Sequence, residues 1–357
     1  MLDEISRKVR SATRLTREDA LELFRTDDIF TLGELASIAA YSHNGDKAYY
    51  VRNIHVNPTN ICVNRCRFCA FSRSRGEEGA YEMTLDEILM NIKEAMPVSE
   101  VHIVGGLHPD WPFEHYLDML SAIRERFPGL HLKAFTATEA DYFARRSGLE
   151  LQEVLDRLKE SGLGSMPGGG AEIFNSFVRN ELCPEKLSGE GWLRVMEAAH
   201  GCGIRTNATM LYGHLESLED RVDHLFRLRE LQDRTRGFQA FIPLSYHPLD
   251  TDIGGRGSSG IDDLKTIAVS RLVLDNVAHI KAYWVMLGEK ISQLALLFGA
   301  DDLDGTVIDE KITYSAGGVS RKSITEEELV NLIKRAGRRP VERDSFYRPV
   351  KRAGAAR

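Results

Sequence analysis

From about residue 53 onward, short apolar stretches alternate with longer amphipathic segments. The longer segments repeat apolar residues every three or four positions, which is typical of helices that bury one face, and the short stretches are β-prone. The eight predicted strands are "NIHVN" (53–57), "EVHIVGG" (100–106), "HLKAFTA" (131–137), "GLGSMPGG" (162–169), "IRTNATML" (204–211), "FQAFIPLS" (238–245), "HIKAYWVM" (279–286) and "LDGTV" (303–307). Eight strand–helix alternations predict an α/β fold, a parallel sheet closed as a (β/α)8 TIM-type barrel. An open doubly wound sheet is the alternative, but it normally has fewer units.

Three predicted helices begin with a hydroxyl residue that an acidic residue follows three positions later. Thr84, Ser217 and Thr325 stand at these starts. Each hydroxyl can accept a hydrogen bond from an otherwise unpaired backbone N–H, as in a capping box. The third helix should end before Gly337, because glycine commonly follows the last helical turn.

The chain before the first predicted strand is polar and helical in pattern, most clearly in "REDALELFRT" (17–26). No low-complexity segment or long linker separates it from the rest. We therefore expect three parts. They are an N-terminal helical extension at residues 1–50, a barrel at residues 51–320, and a C-terminal helix and tail packed on the barrel at residues 321–357.

Side chains alternate between the two faces of a strand, so the sequence predicts which ones face the barrel interior. In "HIKAYWVM" the apolar face, which should meet the helices, carries Ile280, Ala282, Trp284 and Met286. The interior face carries His279, Lys281, Tyr283 and Val285. On other strands the same rule places His55, Asn57, Lys133, Phe135, Arg205, Asn207 and Thr209 inside. So many polar side chains exceed what packing needs, and some are expected to contact a ligand.

Charge and composition narrow the function. The chain has 46 lysine and arginine residues against 53 aspartate and glutamate residues, a net charge of −7. Nucleic-acid binding needs a basic surface, so we expect no nucleic-acid partner. No apolar run is long enough for a membrane span, and "MLDEISRKVRSATRL" lacks the apolar centre of an export signal. We expect a cytoplasmic protein that does not bind membranes.

Three of the five cysteines lie together, directly after the first predicted strand. Cys62, Cys66 and Cys69 form a C-x3-C-x2-C pattern at the barrel end where active sites occur. A zinc site would need a recruited fourth ligand, and a disulfide with a spare thiol does not suit a reducing compartment. The other two cysteines, Cys183 and Cys202, are expected to be small buried apolar residues. A [4Fe–4S] cluster held by three thiolates would leave one iron free of protein ligands.

The cysteine spacing, with Phe68 before the last cysteine, resembles the signature of the radical S-adenosylmethionine (SAM) enzymes. The resemblance implies that the free iron binds the amino and carboxylate groups of SAM. The reduced cluster then cleaves SAM to methionine and a 5′-deoxyadenosyl radical. "IVGGLHP" (103–109) looks like the glycine motif that receives the SAM amino group at Gly105 and Gly106, although Leu107 stands where an acidic residue is usual.

Five further blocks resemble the aminofutalosine synthase family of the futalosine route to menaquinone. They are "HLKAFTATE" (131–139), "SMPGGGAEIF" (165–174), "NATMLYGH" (207–214), "LQDRTRGFQAFIPLSYHP" (231–248) and "HIKAYWVM" (279–286). The implied reaction is a transfer. The adenosyl radical adds to the enol-ether double bond of 3-[(1-carboxyvinyl)oxy]benzoate, and rearrangement with loss of a carboxylate gives 6-amino-6-deoxyfutalosine. Alternatives are the dehypoxanthine futalosine cyclase of the same pathway and, from a different class, a zinc-stabilised binding protein.

This resemblance gives the polar interior residues a purpose, because the implied substrate carries two carboxylates. Cationic and hydrogen-bonding groups could hold and orient them. The candidates are His55, Lys133, Arg205, His214, His247 and Lys281. Glycines 168–170 could let the backbone approach the SAM ribose, with Glu172 near its hydroxyls. The cluster would also need an electron donor such as a flavodoxin or ferredoxin.

Overall fold

The computed structural model describes residues 2–318 and 323–351. The helices are α1 (Leu2–Arg10), α2 (Arg17–Arg25), α3 (Ile29–Asn44), α4 (Leu85–Ala95), α5 (Phe113–Arg126), α6 (Ala137–Ser147), α7 (Leu151–Ser161), α8 (Ser176–Leu182), α9 (Gly189–Gly201), α10 (Leu218–Thr235), α11 (Gly260–Val273), α12 (Trp284–Ala295), α13 (Ile312–Ser315) and α14 (Glu326–Arg335). The strands are β1 (Lys47–Val51), β2 (Asn53–Val56), β3 (Glu100–Ile103), β4 (His131–Ala134), β5 (Ser165–Met166), β6 (Arg205–Tyr212), β7 (Phe238–Ser245), β8 (His279–Ile280), β9 (Asp302–Gly305) and β10 (Arg339–Glu342). None of these helices is both long and apolar enough to cross a membrane.

The central sheet confirms the predicted parallel barrel. Strands β2 to β8 follow one another in chain order, and every pair is parallel. Two isolated parallel bridges lie between β8 and β2: Lys281 pairs with Asp302 of β9, and Ile308, three residues after β9, pairs with Ile54 of β2. Each of the eight predicted stretches overlaps an observed strand. The helices between them cover the outer face, as a parallel sheet requires.

The predicted capping boxes are all present. Thr84, Ser217 and Thr325 accept hydrogen bonds from the backbone N–H three residues later, and the acidic side chains there accept from the cap residue's own N–H. The last of these helices is followed by Gly337 at φ +71°, as its sequence predicts. A capping box forms between residues only three positions apart, so it depends little on the rest of the fold. This is why these helix starts can be predicted from the sequence.

The seventh predicted strand is too long. Only His279–Ile280 is a strand, and α12 begins at Trp284. The Trp284 indole is fully buried and donates to the Gly305 carbonyl oxygen at 2.8 Å, so the chain turns towards β9 instead of continuing straight. Strict alternation of faces therefore stops after Ala282. Met286, which was predicted to face the helices, lines the interior cavity, whereas Val285 does not line it.

A second sheet joins the two ends of the chain, which the sequence did not indicate. Strand β1 lies between β9 and β10 and is parallel to both. The predicted N-terminal extension contains α1 to α3, and its last residues, 47–50, form part of β1. The predicted C-terminal part contributes α14 and β10. Its residues 321–322 and 352–357 lie outside the described part of the chain.

Phe135 also departs from the predicted interior set. It follows the last residue of β4 at φ +56°, and its ring packs edge-on against Tyr116 and Phe143. Those two rings belong to α5 and α6, so Phe135 contributes to the layer between sheet and helices. The strand ended one residue earlier than the alternation assumed.

Candidate active site

A cavity of about 340 Å³ opens at the carboxyl ends of the barrel strands. Its volume is in the range of small-molecule sites, and its position is where barrel enzymes place theirs. Eleven of the thirteen predicted site residues line it: His55, Cys62, Cys66, Phe68, Cys69, Gly105, Gly106, Lys133, Glu172, His247 and Lys281. Of the predicted interior residues, Asn207, Thr209 and Tyr283 line it as well. The fold thus brings together residues that are more than 200 positions apart in sequence.

The backbone of the loop after β2 sets the positions of the three cysteines. The Cys62 N–H donates to the Arg73 carbonyl oxygen at 3.1 Å, which closes the loop on itself. The Val63 N–H donates to the Leu107 carbonyl oxygen at 3.0 Å, and the Arg67 N–H to the Leu182 carbonyl oxygen at 2.8 Å. The loop is therefore tied to the segment after β3 and to the end of α8.

The arrangement of the thiols fits a polynuclear cluster. Cys62, Cys66 and Cys69 are free cysteines, half-buried, and all three face the same cavity. Among the residues that the structure describes, no group of three cysteine, histidine or carboxylate side chains is placed to hold a single metal ion. In a [4Fe–4S] cluster each thiolate binds a different iron, so the sulfurs need only surround a common space.

The two glycines after β3 are required by close packing against the cysteine loop. A Cβ atom on Gly106 would lie 2.2 Å from the Ile61 carbonyl oxygen, and one on Gly105 would lie 3.1 Å from the Thr59 carbonyl oxygen. No other residue fits at Gly106 without moving that backbone. Both glycines also line the cavity, so the packing and ligand-binding explanations of this motif are compatible.

On the opposite side of the cysteines, Glu172 forms a buried ion pair. Its Oε1 lies 2.5 Å from the Lys186 Nζ, and the ammonium group lies 5.2 Å from the centre of the Phe68 ring. Burial alone would raise the pKa of Glu172, but the charge and hydrogen bond of Lys186, together with the charge of Arg179, outweigh it and hold that pKa below its ordinary value. Phe68 and Glu172, which were predicted separately, are thus linked through a lysine that the sequence did not single out.

Deeper in the barrel, the two predicted lysines already have carboxylate partners. Lys133 Nζ lies 2.6 Å from Glu100 Oε1, and Lys281 Nζ lies 2.5 Å from Asp304 Oδ1. All four side chains are buried. Each lysine keeps further N–H donors, but its charge is neutralised within the protein. Neither lysine is therefore a free counter-ion, although both remain candidates as hydrogen-bond donors.

Two histidines of the cavity, His55 and His102, each have one ring nitrogen without a hydrogen-bond partner in the described part of the chain. The rings of His55 and His102 are 4.5 Å apart between centroids, and the Nε2 atom of each is buried and unpartnered among the described residues. Burial lowers the pKa of His55 to about 4 and that of His102 well below its ordinary value. Both rings are therefore neutral at pH 7, and each offers one nitrogen to a ligand in the cavity.

Two predicted residues do not reach the cavity. Arg205 is exposed as the first residue of β6, at the end of the barrel away from the cysteines, and donates to the Arg236 carbonyl oxygen. The His214 ring is held between the Leu211 carbonyl oxygen at 3.0 Å and the Glu216 carboxylate at 2.9 Å. His247 does line the cavity, with Nε2 2.9 Å from the Met286 carbonyl oxygen.

Among the histidine, lysine and carboxylate residues of the cavity, sequence reasoning missed five: His102, Glu139, Lys186, Asp304 and Glu310. His102 could have been found, because alternation on the second strand places it in the same row as His55 and Lys133. Glu139 ends one of the blocks that resemble the family, and that block alone assigns it no role. Lys186 and Glu310 follow irregular segments, where no periodicity indicates which way a side chain points.

Comparison with known proteins agrees with this geometry. The radical SAM superfamily model matches residues 56–228, and the model of the CofH/MqnC C-terminal region matches residues 235–354. The chain is 47% identical to an aminodeoxyfutalosine synthase of Thermus thermophilus, with 97% of this chain and 95% of that protein covered. It is 45% identical to the enzyme of the same name from Streptomyces coelicolor, with 96% and 92% covered.

A second group of relatives carries a different name. The chain is 40% identical to a 5-amino-6-(D-ribitylamino)uracil–L-tyrosine 4-hydroxyphenyl transferase of Methanococcoides burtonii, covering 98% of this chain and 99% of that protein. Among solved structures, a methylornithine synthase aligns with a TM-score of 0.77 at 18% identity, covering 94% of this chain and 97% of that one. At that identity the structural likeness supports the fold alone.

Proposed function

Because this chain belongs to the radical SAM superfamily, we propose that it joins the adenosyl part of SAM to 3-[(1-carboxyvinyl)oxy]benzoate, the aminodeoxyfutalosine synthase reaction. The product would be 6-amino-6-deoxyfutalosine, formed with loss of one carboxylate. The observation that carries the proposal is the identity of 47% over nearly the full length of both chains. The transferases of the second group reach 39–42%.

The cofactors of this family are a [4Fe–4S] cluster and SAM, and the residues at the mouth of the cavity fit them. Cys62, Cys66 and Cys69 would hold three irons through their thiolates. When bound, the cluster and SAM supply the 5′-deoxyadenosyl radical. The reduction of the cluster would come from a small electron-transfer protein such as a flavodoxin or ferredoxin.

The apolar character of the cavity wall supports a radical addition. Phe71, Leu107, Leu211, Ile242, Leu244 and Met286 contribute to the lining. Such a wall excludes water and fixes a flat aromatic substrate by shape. The lining also carries polar groups that could orient a ligand, and we propose that His55 and His102 contact a substrate carboxylate through their free Nε2 atoms.

The two lysines would then act as hydrogen-bond donors rather than as free counter-ions. Lys133 and Lys281 each use one contact for a protein carboxylate, at 2.6 and 2.5 Å. Their remaining N–H groups can still point towards a ligand because both residues line the cavity. His247 would contribute at the cavity mouth. Arg205 and His214 have no place in this proposal.

The test is an anaerobic assay of the reconstituted protein with dithionite and SAM. One reaction receives 3-[(1-carboxyvinyl)oxy]benzoate, and mass spectrometry should find a product that carries the adenosyl group. A second receives dehypoxanthine futalosine, the substrate of the cyclase alternative. A third receives L-tyrosine with 5-amino-6-(D-ribitylamino)uracil, which the second group of relatives favours.

Only an adenosylated product in the first reaction supports the proposal. Consumption of the substrate in the second or third reaction, with the first substrate untouched, would assign the chain to the cyclase or to the 4-hydroxyphenyl transferases. Iron and acid-labile sulfide are measured on the same sample. One zinc ion and no sulfide would instead favour the zinc-stabilised binding protein.

A further inference from the structure

Four carboxylates line the cavity, and they differ in what neutralises them. Glu172 and Asp304 each lie 2.5 Å from a lysine ammonium group. Glu310 accepts backbone N–H groups from Ile312 at 2.8 Å and from Thr313 at 3.0 Å. Within the described ranges 2–318 and 323–351, neither Glu310 nor Glu139 forms an ion pair with a lysine, arginine or histidine. Glu139 differs from Glu310 in accepting the N–H of Gly105, which packs against the cysteine loop.

Glu139 is held firmly in spite of having no cation. Its Oε2 accepts the Thr136 N–H at 2.6 Å, and its Oε1 accepts the Gly105 N–H at 3.3 Å. The side chain is buried, with the residue 5% exposed, and it faces the cavity. Burial raises the pKa of Glu139 to about 7. A buried carboxylate without a positively polarised partner is energetically costly. The site therefore favours a ligand that brings such a group to it.

Its location indicates which group that is. Gly105 and Gly106 pack directly on the backbone of the cysteine loop, so the carboxylate beside Gly105 borders the space that the cluster and SAM share. SAM brings a basic α-amino group to that space, and carboxylate oxygens are good acceptors for it. We propose that Glu139 accepts a hydrogen bond from the α-amino group of SAM. This inference rests on the SAM-binding part of the proposed function and not on the second substrate.

A purely structural role for Glu139 must be separated from this one. Glu139 is the third residue of α6 and closes a capping box with Thr136. The chain offers a matched control, since Glu87 closes the same motif with Thr84 at the start of α4 but is exposed and outside the cavity lining. Glutamine at either position keeps one acceptor oxygen for the cap and removes the charge. At Glu139 it also replaces the oxygen that accepts the Gly105 N–H with an amide NH2, and the ligand without the amino-acid part controls for that change.

The experiment compares the wild type with Glu139→Gln and Glu87→Gln, each with reconstituted cluster. Dissociation constants are measured anaerobically by calorimetry, without the second substrate, for SAM and for 5′-deoxy-5′-methylthioadenosine, which lacks the amino-acid part. We expect Glu139→Gln to weaken SAM binding by about 10- to 100-fold, the range for a hydrogen bond to a charged group. Its affinity for methylthioadenosine should match the wild type, and Glu87→Gln should bind both ligands normally.

Two results would overturn the inference. Unchanged SAM affinity in Glu139→Gln would show that the carboxylate acts only in the cap. Equal loss for both ligands would show that the cavity had changed shape, so that the α-amino group is not what Glu139 recognises. Iron content and circular dichroism on the same samples establish that the variants are loaded and folded. A wrong second substrate leaves all these measurements unaffected.

Discussion

The two ends of the cavity handle charge in opposite ways. At the rim, which we define as Cys62, Cys66, Cys69, Gly105 and Gly106, the backbone is tied down while the thiols keep no covalent partner. At the floor, the charged groups are matched in pairs: Lys133 with Glu100, Lys281 with Asp304 and Arg343 with Asp302. The rim leaves its thiols without covalent partners, whereas the floor pairs its charges within the protein.

This difference has an energetic reason. A charge buried without a partner is costly, so the floor can hold six charged groups only if they neutralise one another. Burial opposes ionisation of Glu100, but the charges of Lys133, Arg343 and Lys281 together outweigh it and hold the pKa of Glu100 well below its ordinary value. The rim avoids that cost because a thiol is neutral until a metal binds it.

The largest effect is expected at the rim. Cys62→Ala, Cys66→Ala and Cys69→Ala should each abolish SAM cleavage, because a three-thiolate site has no spare ligand. Cleavage is measured as 5′-deoxyadenosine after anaerobic reconstitution, together with iron and sulfide content. The folded protein should persist, since the loop is held by backbone hydrogen bonds.

Cys202→Ala is the matched control. Cys202 follows α9 and its sulfur contacts the Gln152 side chain at 2.8 Å, away from the cavity lining. It should retain cluster content and SAM cleavage at wild-type levels. Full activity in any one of the three rim variants would contradict the assignment of all three thiolates to the cluster.

At the floor, Lys133→Met should destabilise the fold itself. Glu100 is fully buried, and Lys133 is its ion-pair partner among the described residues. Removing one partner of a buried pair typically costs about 3–5 kcal/mol. Urea unfolding of the cluster-free protein measures the loss, and the double variant Lys133→Met/Glu100→Gln should recover much of it because the stranded charge is gone.

Arg205→Ala gives the contrast for this prediction. Arg205 carries the same charge but is exposed, so its removal should change the free energy of unfolding by less than about 0.5 kcal/mol. If Lys133→Met left stability unchanged and only raised KM for the substrate, Lys133 would act by binding the substrate. The interpretation that it mainly neutralises Glu100 would then be wrong.

The same contrast explains what the sequence could predict. The rim follows from local features: cysteine spacing, a glycine pair, and a position directly after a strand. Barrel order and helix starts are equally local, because β-prone runs and capping boxes such as Thr84 with Glu87 need no distant partner. The ion pairs of the floor join residues far apart in sequence, such as Arg343 and Asp302. No local sequence pattern therefore indicates which cations already have a carboxylate partner.

Errors arose where tertiary contacts override the local pattern. Strand alternation placed Arg205 inside, but Arg205 is the first residue of its strand and lies exposed at the far end of the barrel. The run "HIKAYWVM" favours a strand by composition, yet the bond from Trp284 to Gly305 turns the chain into a helix. Strand β1 pairs only with segments about 250 or more residues later, which a single sequence cannot show.

Between rim and floor, His55 gives the smallest and most pH-dependent effect. Burial, the first cause, and the charges of Lys133 and Lys281 lower its pKa to about 4, while Asp304 and Glu100 oppose this. A histidine whose folded pKa lies below the ordinary value of about 6.5 stabilises the fold above pH 6.5 and loses that contribution as pH falls towards 4. Between pH 7.5 and pH 5 the loss should be about 2 kcal/mol.

Replacing the ring removes this dependence. His55→Gln should show a free energy of unfolding that falls less steeply with acid than the wild type, by about 2 kcal/mol over the same interval. Urea unfolding at pH 7.5, 6 and 5 on cluster-free protein measures the slope. His102 also has a lowered pKa and its ring lies 4.5 Å from that of His55, so His102→Gln and the double variant are measured alongside to separate the two contributions. If the free energies of unfolding of the wild type and His55→Gln fell in parallel with pH, the pKa of His55 in the folded protein would not be lowered. The ring would then be readily protonated and not held neutral for a ligand.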